Sequence, residues 1–375
     1  MRQGKTILIC PLDWGLGHAG RMAALAGRLD RTGNNVIIAA SDSLKDFFSS
    51  ELPGTEFISF PGFRPRYSRH LPQYLILFLQ IPLLFHHLVK EHIKLRSLIG
   101  KYKVDIVISD NRFGLWNKNI KSVYVTHQIR IPFPALFRPF EFLGVLFHRC
   151  IINRYSLCLI PDLPGDVNLT GRLSHGIRLP ENAMFAGLLS RFSKNEIPDS
   201  TVPGQRKYYT AILSGPEPQK SIFKESVIRL FTRREEDLVV LEGRPGRIRE
   251  GRTEGRITEV SHLPASQMAG LIAGAEGVIS RSGYSTIMEL VSLGRSAFLV
   301  PTPGQTEQEY LADYLSVKGW FSSITQNELR HTDIITFVSP AVPIELISES
   351  ESLLEKALGE ILKDQKDENH SGDSC

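Results

Sequence analysis

The chain has 375 residues, which exceeds one ordinary domain and suits two. It is 42% hydrophobic and 22% charged, a balance that excludes a disordered chain. The formal net charge of +4 suits a surface that meets phosphates or anionic lipid, but it is too small for a nucleic-acid-binding footprint. We therefore expect a folded protein with two cores and no nucleic-acid partner.

The four cysteines show no spacing that indicates chemistry. They form no CxxC pair and no cluster with histidines at metal-ligand spacing, and isolated thiols are typical of a reducing compartment. The apolar run at residues 6–12 meets Asp13 at once and leads into glycines, so it indicates a buried first strand rather than a signal peptide. We expect a cytoplasmic protein with no metal site.

The first predicted elements form a βαβ unit. Residues 5–11 are an apolar strand, and a glycine-rich turn follows at residues 13–20. Residues 21–30 have helical periodicity, and residues 36–40 are a second apolar strand. A right-handed unit of this kind opens a parallel sheet.

Polar residues follow the next predicted strands. Buried strands at residues 105–109, 122–126 and 158–161 continue the sheet, and Asp110 and His127 come directly after the first two. Because the carboxyl ends of parallel strands line the binding crevice of open sheets, we expect both side chains at the crevice edge.

The alternation of strands and helices starts again after a polar, proline-containing stretch. Strands are predicted at residues 208–213, 237–241, 277–280 and 297–301, and helices at residues 221–231, 268–273, 285–292 and 307–317. The fold class is α/β, with two Rossmann-like, doubly wound domains that face a central cleft. The predicted parts are an N-terminal domain at residues 1–192, a linker at 193–205, a C-terminal domain at 206–345, a helix at 346–362 and a disordered tail at 363–375.

The glycine-rich turn after the first strand is the first candidate site. Gly15 and Gly17 let the backbone pass close to a ligand, and the helix N-terminus that follows favours negative charge. His18 lies in this turn, and a neutral imidazole there can act as general base on an acceptor hydroxyl. The alternative is that His18 only caps its helix.

Other residues compete with His18 for the role of base. Asp13, Asp110 and His127 should all lie at the crevice edge, and the sequence does not rank them by geometry. The glycine spacing, with Asp42 about twenty residues further on, also leaves dinucleotide binding open as a reading of this motif alone.

The motif SRSGYSTIMEL is the second candidate site, in which a strand, a small polar turn and a helix follow one another. Ser282, Gly283, Ser285 and Thr286 place N–H and hydroxyl donors at the helix N-terminus, a nest of diphosphate size. Glu289 lies one turn inside the helix, where it can accept both hydroxyls of a ribose. An ordinary solvated helix carboxylate is the alternative for Glu289.

The motif PTPGQTEQ is the third candidate site, and it opens a helix after another buried strand. Gln305 and Gln308 are its candidate donor-binding residues. Gln308 can both donate to and accept from sugar hydroxyls, and a plain helix-surface amide is the alternative.

The order of SRSGYSTIMEL and VPTPGQTEQEYLADYL, each after a strand, resembles the C-terminal domain of family 28 glycosyltransferases. The N-terminal GLGHAGR resembles the glycine loop of the same family. The similarity covers residues 5–40 and 208–319, whereas residues 47–200 resemble no named family. It implies a GT-B fold and an inverting, metal-independent transfer from a UDP-sugar, with no cofactor besides this co-substrate.

The resemblance also implies roles by position. Glu289 is expected to bind the donor ribose, Gln308 the donor sugar, and His18 to be the base. Diphosphate contacts are implied for the small residues of the second motif and for the turn after the first strand of the second domain, namely Ser282, Gly283, Thr286, Ser214 and Gly215. His262 or Leu263 is expected to flank the uracil.

The chain departs from the family at several positions. Members that act in peptidoglycan synthesis have two consecutive glutamines where this chain has Gln308-Glu309, and an asparagine where it has Ala312. Pro216 and Pro218 replace part of a glycine-rich segment. These changes leave open whether the donor sugar is a hexose or an N-acetylhexosamine.

Two features of the residues favour a metal-independent mechanism. The sequence contains no Asp-x-Asp motif, the usual carboxylate pair for a metal–diphosphate. A basic glycine-rich loop at residues 243–255 contains Arg244 directly after a strand, where it can help to neutralise a leaving diphosphate. A solvated run of charges is the alternative for this loop.

Two apolar stretches, residues 71–89 and 132–149, are flanked or interrupted by basic residues. Three interpretations compete: buried core helices, a surface that docks on anionic lipid headgroups, and a membrane span, which needs about 20 mostly apolar residues. The docking interpretation leads to the hypothesis of a lipid-linked or cell-envelope glycan acceptor and of peripheral association with the inner face of the cytoplasmic membrane.

The sequence thus predicts a UDP-sugar-dependent glycosyltransferase. One alternative is a UDP-sugar epimerase of similar two-domain fold, which a strict requirement for an added acceptor would exclude. Another is a non-catalytic nucleotide-sugar-binding protein, which would bind UDP without turnover.

Overall fold

The computed structural model of the chain describes residues 4–64, 79–133, 135–192, 207–246, 252–332 and 341–364. The predicted linker and nearly all of the predicted tail lie outside these ranges, as do residues 71–78 of the first apolar stretch and residues 247–251 of the basic loop. Within the described residues the strands form two sheets of seven strands each.

The first sheet belongs to the N-terminal half of the chain. Its strands are β1 (Thr6–Cys10), β2 (Asn35–Ala40), β3 (Glu56–Ser59), β4 (Ile106–Asp110), β5 (Lys121–Val125), β6 (Leu157–Ile160) and β7 (Ala183–Phe185). The helices of this half are α1 (Leu16–Arg31), α2 (Lys45–Glu51), α3 (Ile81–Tyr102) and α4 (Glu141–Ile152). The strand order is β3-β2-β1-β4-β5-β6-β7, and all pairs are parallel.

The second sheet belongs to the C-terminal half. Its strands are β8 (Tyr208–Ile212), β9 (Asp237–Leu241), β10 (Arg252–Glu254), β11 (Ile257–Val260), β12 (Gly277–Ser280), β13 (Phe298–Leu299) and β14 (Ser322–Ser323). The helices are α5 (Gln219–Thr232), α6 (Ala265–Gly274), α7 (Tyr284–Ser292), α8 (Thr306–Val317), α9 (Gln326–His331) and α10 (Glu345–Leu362). The order is β10-β11-β9-β8-β12-β13-β14, and only the β10–β11 pair is antiparallel within the described strands.

This architecture confirms the predicted α/β fold of two Rossmann-like sheets. The buried apolar runs of β1, β4, β5 and β6 explain their central places, since parallel strands are covered on both faces. Five short strands, β3, β7, β10, β11 and β14, were not predicted, because they lie at or near the sheet edges and lack long apolar runs.

The start of α1 differs from the sequence-based prediction. The helix begins at Leu16 rather than at residue 21, so that Gly17 and His18 belong to its first turn. The low helix propensity of glycine is overridden here by tertiary packing. A side chain at Gly17 would come within 2.8 Å of the Ser285 Cβ atom, and one at Gly20 within 3.1 Å of the Glu289 carboxylate. The glycines therefore let α1 approach α7 closely.

The two halves share one continuous core. Met22 of α1, Ile287 of α7 and Leu354 of α10 belong to the same buried cluster. Helix α10 also contacts the N-terminal half, since the Leu188 amide donates to Ser350 Oγ and the Lys121 ammonium donates to the Glu360 carbonyl. The last helix thus connects the end of the chain to the first sheet.

The described parts of the two apolar stretches are not buried core helices, contrary to one of the three interpretations. In residues 79–89 of the first, Leu79, Leu83, Phe85 and Val89 are exposed, with fractions from 44% to 66%. The second is exposed as well, and its large exposed side chains are Phe137, Phe140, Phe142, Leu143, Leu146 and Phe147. Across the described ranges, no helix has the length and apolar character that crossing a membrane requires.

Candidate active site at the cleft between the two halves

The glycine-rich turn places the first turn of α1 at the carboxyl edge of the first sheet. Gly15 precedes the helix with φ of 155° and ψ of 171°, and no atom lies within 4 Å of the position of its missing side chain. Because L-residues rarely adopt this φ, glycine is required at the turn. His18 consequently lies in the first turn of a helix that points its N-terminus into the cleft.

His18 is paired with Asp110 of β4. The Nδ1 atom of His18 lies 3.0 Å from Asp110 Oδ2. The His18 side chain is 20% exposed, whereas Asp110 has no exposed surface. A ligand in the cleft can therefore reach the imidazole but not the carboxylate, which is placed to orient the ring.

Arg21, one helical turn after His18, binds the same carboxylate. Its Nε donates to Asp110 Oδ2 at 2.9 Å, and one terminal nitrogen donates to Asp110 Oδ1. Burial raises the pKa of Asp110, but Arg21 and His18 outweigh burial and lower it to about 2. Asp110 is therefore ionised throughout the neutral range.

His127, which follows β5, connects this pair to the C-terminal half. Its Nδ1 lies 2.9 Å from an Arg21 nitrogen, and its Nε2 lies 2.9 Å from Glu307 Oε1 at the start of α8. The ring also stacks on Tyr284 of α7, with centroids 4.2 Å apart and planes 8° from parallel. Tyr284 in turn donates its hydroxyl proton to the Pro161 carbonyl after β6.

The carboxylate of Asp13, another candidate base, accepts hydrogen bonds from backbone amides. Its carboxylate accepts from the Ser41 amide at 3.2 Å and from the Gly62 amide at 2.6 Å. These bonds connect the loops after β1, β2 and β3. Asp13 thereby shapes the edge of the sheet beside His18.

The predicted diphosphate nest lies at the N-terminus of α7. Gly283 precedes this helix, and Ser285 lies in its first turn against Gly17 of α1. The Ser282 hydroxyl donates to the Gln308 carbonyl, and the Gln308 side-chain oxygen accepts from the Thr302 amide at 2.9 Å. These bonds fix the loops after β12 and β13 against each other.

Glu289 is buried and forms part of an ion-pair triad across the two halves. Arg191 donates to Glu289 Oε1 at 2.7 Å and to Glu51 Oε1 of α2 at 3.0 Å. Burial lowers the pKa of Arg191, but the two carboxylates outweigh burial and raise it. Glu289 is therefore not a solvated surface carboxylate, and Arg191 is its partner.

The remaining predicted donor residues line the loops of the second sheet. Gly215 follows β8 with φ of 95°, and Gln305 precedes α8. His262 makes an edge contact with Phe47 at 5.8 Å, and its Nε2 is buried with no hydrogen-bond partner in the described part of the chain. Leu263 packs on the shared core. His262 is thus a partly buried side chain whose buried Nε2 has no partner among the described residues.

A cavity of about 670 Å³ opens between the loops of the two sheets. Its walls come from Asp13, Trp14, Gly15, Leu16, Ser43, Leu44 and Arg64 of the first half, and from Pro216, Arg244 and Pro245 of the second. Trp14 is 40% exposed. Arg64 donates to the hydroxyls of Ser41 and Ser43, and Arg244 lies 3.6 Å from Glu217. Two guanidinium groups therefore line a space of substrate size.

Four residues of this site were not singled out from the sequence: Arg21, Arg191, Tyr284 and Glu307. Arg21 and Glu307 stand beside predicted site residues in the motifs GLGHAGR and GQTEQ, and Tyr284 stands within SRSGYST. For Arg21, the available signal in the sequence was an arginine in an amphipathic helix beside a candidate site. Arg191 lies in a stretch without a recognisable motif.

Part of the sequence is similar to known proteins. Residues 248–367 match the glycosyltransferase family 28 C-terminal domain. A UDP-N-acetylglucosamine--N-acetylmuramyl-(pentapeptide) pyrophosphoryl-undecaprenol N-acetylglucosamine transferase of Desulforudis audaxviator is 41% identical over 75 residues, 20% of each chain. The enzyme of the same description from Sinorhizobium medicae is 38% identical over 79 residues, 20% of this chain and 21% of that one. The match spans about a fifth of the length of these curated relatives.

Solved structures resemble the chain over nearly its whole length. The glycotransferase of kitacinnamycin has a TM-score of 0.58 at 17% identity and covers 96% of this chain and 95% of its own. The calicheamicin glycosyltransferase CalG4 has a TM-score of 0.56 at 14% identity, covering 96% and 95%. A Listeria monocytogenes structure described as a UDP-N-acetylglucosamine 2-epimerase has a TM-score of 0.54 at 14% identity, covering 95% and 91%. At these identities the likeness concerns the fold.

The fold and the cleft define the class first: this is a GT-B protein, with two Rossmann-like domains around a polar cleft. The similarity to family 28 lies in the C-terminal half, where residues 248–367 match the glycosyltransferase family 28 C-terminal domain.

Proposed function

We propose that the protein is an inverting glycosyltransferase in which His18 is the general base. The observation that carries this proposal is the pairing of a partly exposed imidazole with a fully buried, ionised carboxylate at the cleft. With Nδ1–H donated to Asp110, Nε2 has a free lone pair and takes the proton of an acceptor hydroxyl. The hydroxyl oxygen then forms a bond to the anomeric carbon, the bond from that carbon to the diphosphate oxygen breaks, and the nucleoside diphosphate leaves. A single displacement inverts the anomeric centre.

The donor is proposed to be a UDP-sugar, with a hexose or an N-acetylhexosamine as the transferred group. Support comes from the family 28 domain and from the UDP-N-acetylglucosamine donor in the printed names of the partial relatives. Glu289 would bind the ribose after exchanging its bond to Arg191 for the ribose hydroxyls. The N-terminus of α7 and Arg244 would neutralise the leaving diphosphate without a metal ion.

The acceptor is proposed to be lipid-linked or part of a cell-envelope glycan. Exposed apolar side chains are concentrated on α3 and at residues 137–147, and Lys90, Lys94 and Arg138 are exposed within the same two stretches. Large exposed apolar patches mark interaction sites, and apolar side chains beside cations suit an anionic membrane surface. Peripheral binding would bring the cleft to an acceptor held in the membrane.

The first experiment measures binding and turnover of a panel of UDP-sugars by the wild type and by Glu289→Ala. The variant should lose binding by at least about 10-fold, because charge-assisted bonds to the ribose hydroxyls disappear. The exposed Glu345→Ala is the matched control and should bind as the wild type does. Binding of UDP-sugars that survives in Glu289→Ala would remove Glu289 from the donor site, and no UDP binding by the wild type would remove the nucleotide from the proposal.

Membrane association is tested by flotation with vesicles that contain anionic lipid. The wild type should float with the vesicles, and a Phe85→Ser/Phe142→Ser double variant should float less, because it loses apolar surface on both exposed helices. Val317→Ser, which changes a side chain that is 82% exposed on the C-terminal half, is the control. A wild type that stays entirely soluble would contradict the proposed surface.

An epimerase is the second candidate function, because the Listeria monocytogenes structure shares the fold over most of both chains. An epimerase converts a UDP-sugar with no acceptor present. Conversion of the UDP-sugar to its epimer by the wild type, without transfer of the sugar to an acceptor, would favour this alternative.

A further inference from the structure

The starting observation is the set of bonds around Arg21, a buried arginine that contacts three other side chains. Its guanidinium donates to both oxygens of Asp110, and single nitrogens lie 2.9 Å from His127 Nδ1 and 2.9 Å from His18 Nδ1. Arginine has no acceptor and does not lose its proton in proteins. Wherever one of these contacts is a hydrogen bond, Arg21 is therefore its donor.

This fixes the tautomer of His127. Since Arg21 donates to Nδ1, that nitrogen carries no proton, and the proton of the neutral ring is on Nε2. His127 consequently donates Nε2–H to Glu307, 2.9 Å away. Burial lowers the pKa of His127 against the opposing effect of Glu307, which agrees with a neutral ring.

The same argument leaves two states for His18. Its Nδ1 lies between the acceptor Asp110 Oδ2 at 3.0 Å and the donor Arg21 at 2.9 Å. If Nδ1 carries the proton, it donates to Asp110, and Nε2 is free to act as a base. If Nδ1 accepts from Arg21, the proton is on Nε2, and Nε2 cannot take the proton of an acceptor hydroxyl. The tautomer of His18 therefore depends on whether the Arg21 guanidinium donates to Asp110 alone or also to His18 Nδ1.

Glu307 joins this hydrogen-bond network from the C-terminal half of the chain. It lies in the first turn of α8, beside the predicted sugar-binding Gln308, while Arg21, Asp110 and His127 belong to the first half. Tyr284, from the diphosphate nest, stacks on the other side of His127. Glu307 and Tyr284, both from the C-terminal half, thus hold His127 only when the two halves are together.

We propose that Arg21, His127 and Glu307 form a positioning relay that prepares His18 as a base when the cleft is closed. With Glu307 in place, His127 presents an unprotonated Nδ1 to one terminal nitrogen of Arg21 and so fixes the guanidinium. The other terminal nitrogen, 2.9 Å from His18 Nδ1, is then directed at Asp110 Oδ1. Arg21 then donates to Asp110, and His18 Nδ1–H donates to the same carboxylate. When Glu307 moves away, His127 is free to change tautomer or rotate. The Arg21 guanidinium then loses the acceptor that fixes its orientation.

The relay rests on the proposed function, but it is a statement about tautomers and can be tested without turnover. The experiment records ring ¹⁵N spectra of ¹⁵N-histidine-labelled wild type, Glu307→Ala and Glu307→Gln, with His18→Gln and His127→Gln to assign the signals. Ring ¹⁵N shifts separate protonated from unprotonated nitrogens. The exposed His331 serves as an internal reference for intact folding.

The expected spectra place the proton of His127 on Nε2 and that of His18 on Nδ1 in the wild type. Glu307→Ala should shift His18 toward the Nε2–H form, whereas Glu307→Gln, whose amide oxygen still accepts from His127, should keep the wild-type pattern. A His18 signal that is the same in all three proteins, with His331 unchanged, would overturn the relay whatever the activity. A wild-type His127 protonated on Nδ1 would overturn it as well.

Kinetics provide the second readout if UDP-sugars are turned over. Glu307→Ala should lower kcat by about 10- to 100-fold, the scale expected from a misplaced catalytic group, with the binding of UDP nearly unchanged. The exposed Asp313→Ala on the same helix is the matched control. Loss of UDP binding in step with kcat would show a role in donor binding and contradict the relay. Absence of any turnover in the wild type is a failure of the proposed function, and the spectra then decide about the relay on their own.

Discussion

The two edges of the cleft use their polar side chains in different ways. On the edge of the first sheet, His18, Asp110 and Arg21 are bound to one another, side chain to side chain. On the edge of the second sheet, the Ser282 hydroxyl binds a backbone carbonyl of α8, and the Gln308 side chain binds a backbone amide of the loop after β13. Around His18 the first edge is an arrangement of charged side chains, whereas around Ser282 and Gln308 the second edge is a backbone frame held in shape by uncharged side chains.

This difference indicates a division of work between the halves. A network of ionised groups around an accessible imidazole is suited to moving a proton. A rigid frame of loop amides at a helix N-terminus is suited to holding an anion. If the division is real, substitutions on the first edge should change the rate of transfer, and substitutions on the second should change the affinity for the donor.

The largest effect is expected from His18→Gln. Removing the proposed base should lower the rate of sugar transfer by roughly 100- to 10,000-fold, the usual contribution of a general base, while the donor still binds. Turnover and UDP binding are measured side by side, with the exposed His331→Gln as control. A His18→Gln enzyme as active as the wild type would break the division, because the first edge would then contribute no chemistry.

A smaller effect is expected on stability from Asp110→Asn, and it should depend on pH. The pKa of Asp110 is depressed from 3.8 to about 2 in the folded state, so its ionisation stabilises the fold above the unfolded pKa and ceases to do so as the pH falls through about 2. This contribution amounts to about 2 kcal/mol.

The measurement is the free energy of unfolding of both proteins from neutral to strongly acidic pH. The advantage of the wild type over Asp110→Asn should be full at neutral pH and shrink by up to about 2 kcal/mol on acidification. A difference that does not change with pH would mean that the carboxylate is not held ionised by Arg21 and His18.

The smallest effect is expected on the second edge, from Gln308→Ala. The variant leaves the buried Thr302 amide without its acceptor and loosens the donor frame, so donor affinity should fall by about 10-fold. The rate at saturating donor should stay close to that of the wild type. Asn327→Ala, at an exposed amide, is the control. A fall in rate without a fall in affinity would reverse the proposed division.

The first edge could be predicted in part from the sequence. Asp110 and His127 follow neighbouring buried strands, and parallel strands end at one edge, so their proximity follows from the strand order. The role of Asp110 could not be predicted, because it depends on its complete burial beside Arg21, which was recognised only as part of a helix.

The contacts between the halves could not be predicted. Glu307 meets His127 across 180 positions of the chain, and Arg191 meets Glu289 across 98. No local pattern encodes how two sheets face each other, so these side chains looked like ordinary helix or loop residues. The apolar face of α3 had the opposite difficulty: its composition suggested a core, and only the fold shows that no other described element covers it.

The route of the chain limits how the cleft can open. The backbone passes from the first half to the second after Phe192 and returns with α10, which binds the first half through Leu188 and Lys121. A body joined to another at two places turns about the line through them and has little freedom in other directions. Opening is then a rotation with one principal axis, and every side chain that bridges the cleft separates in a single concerted movement.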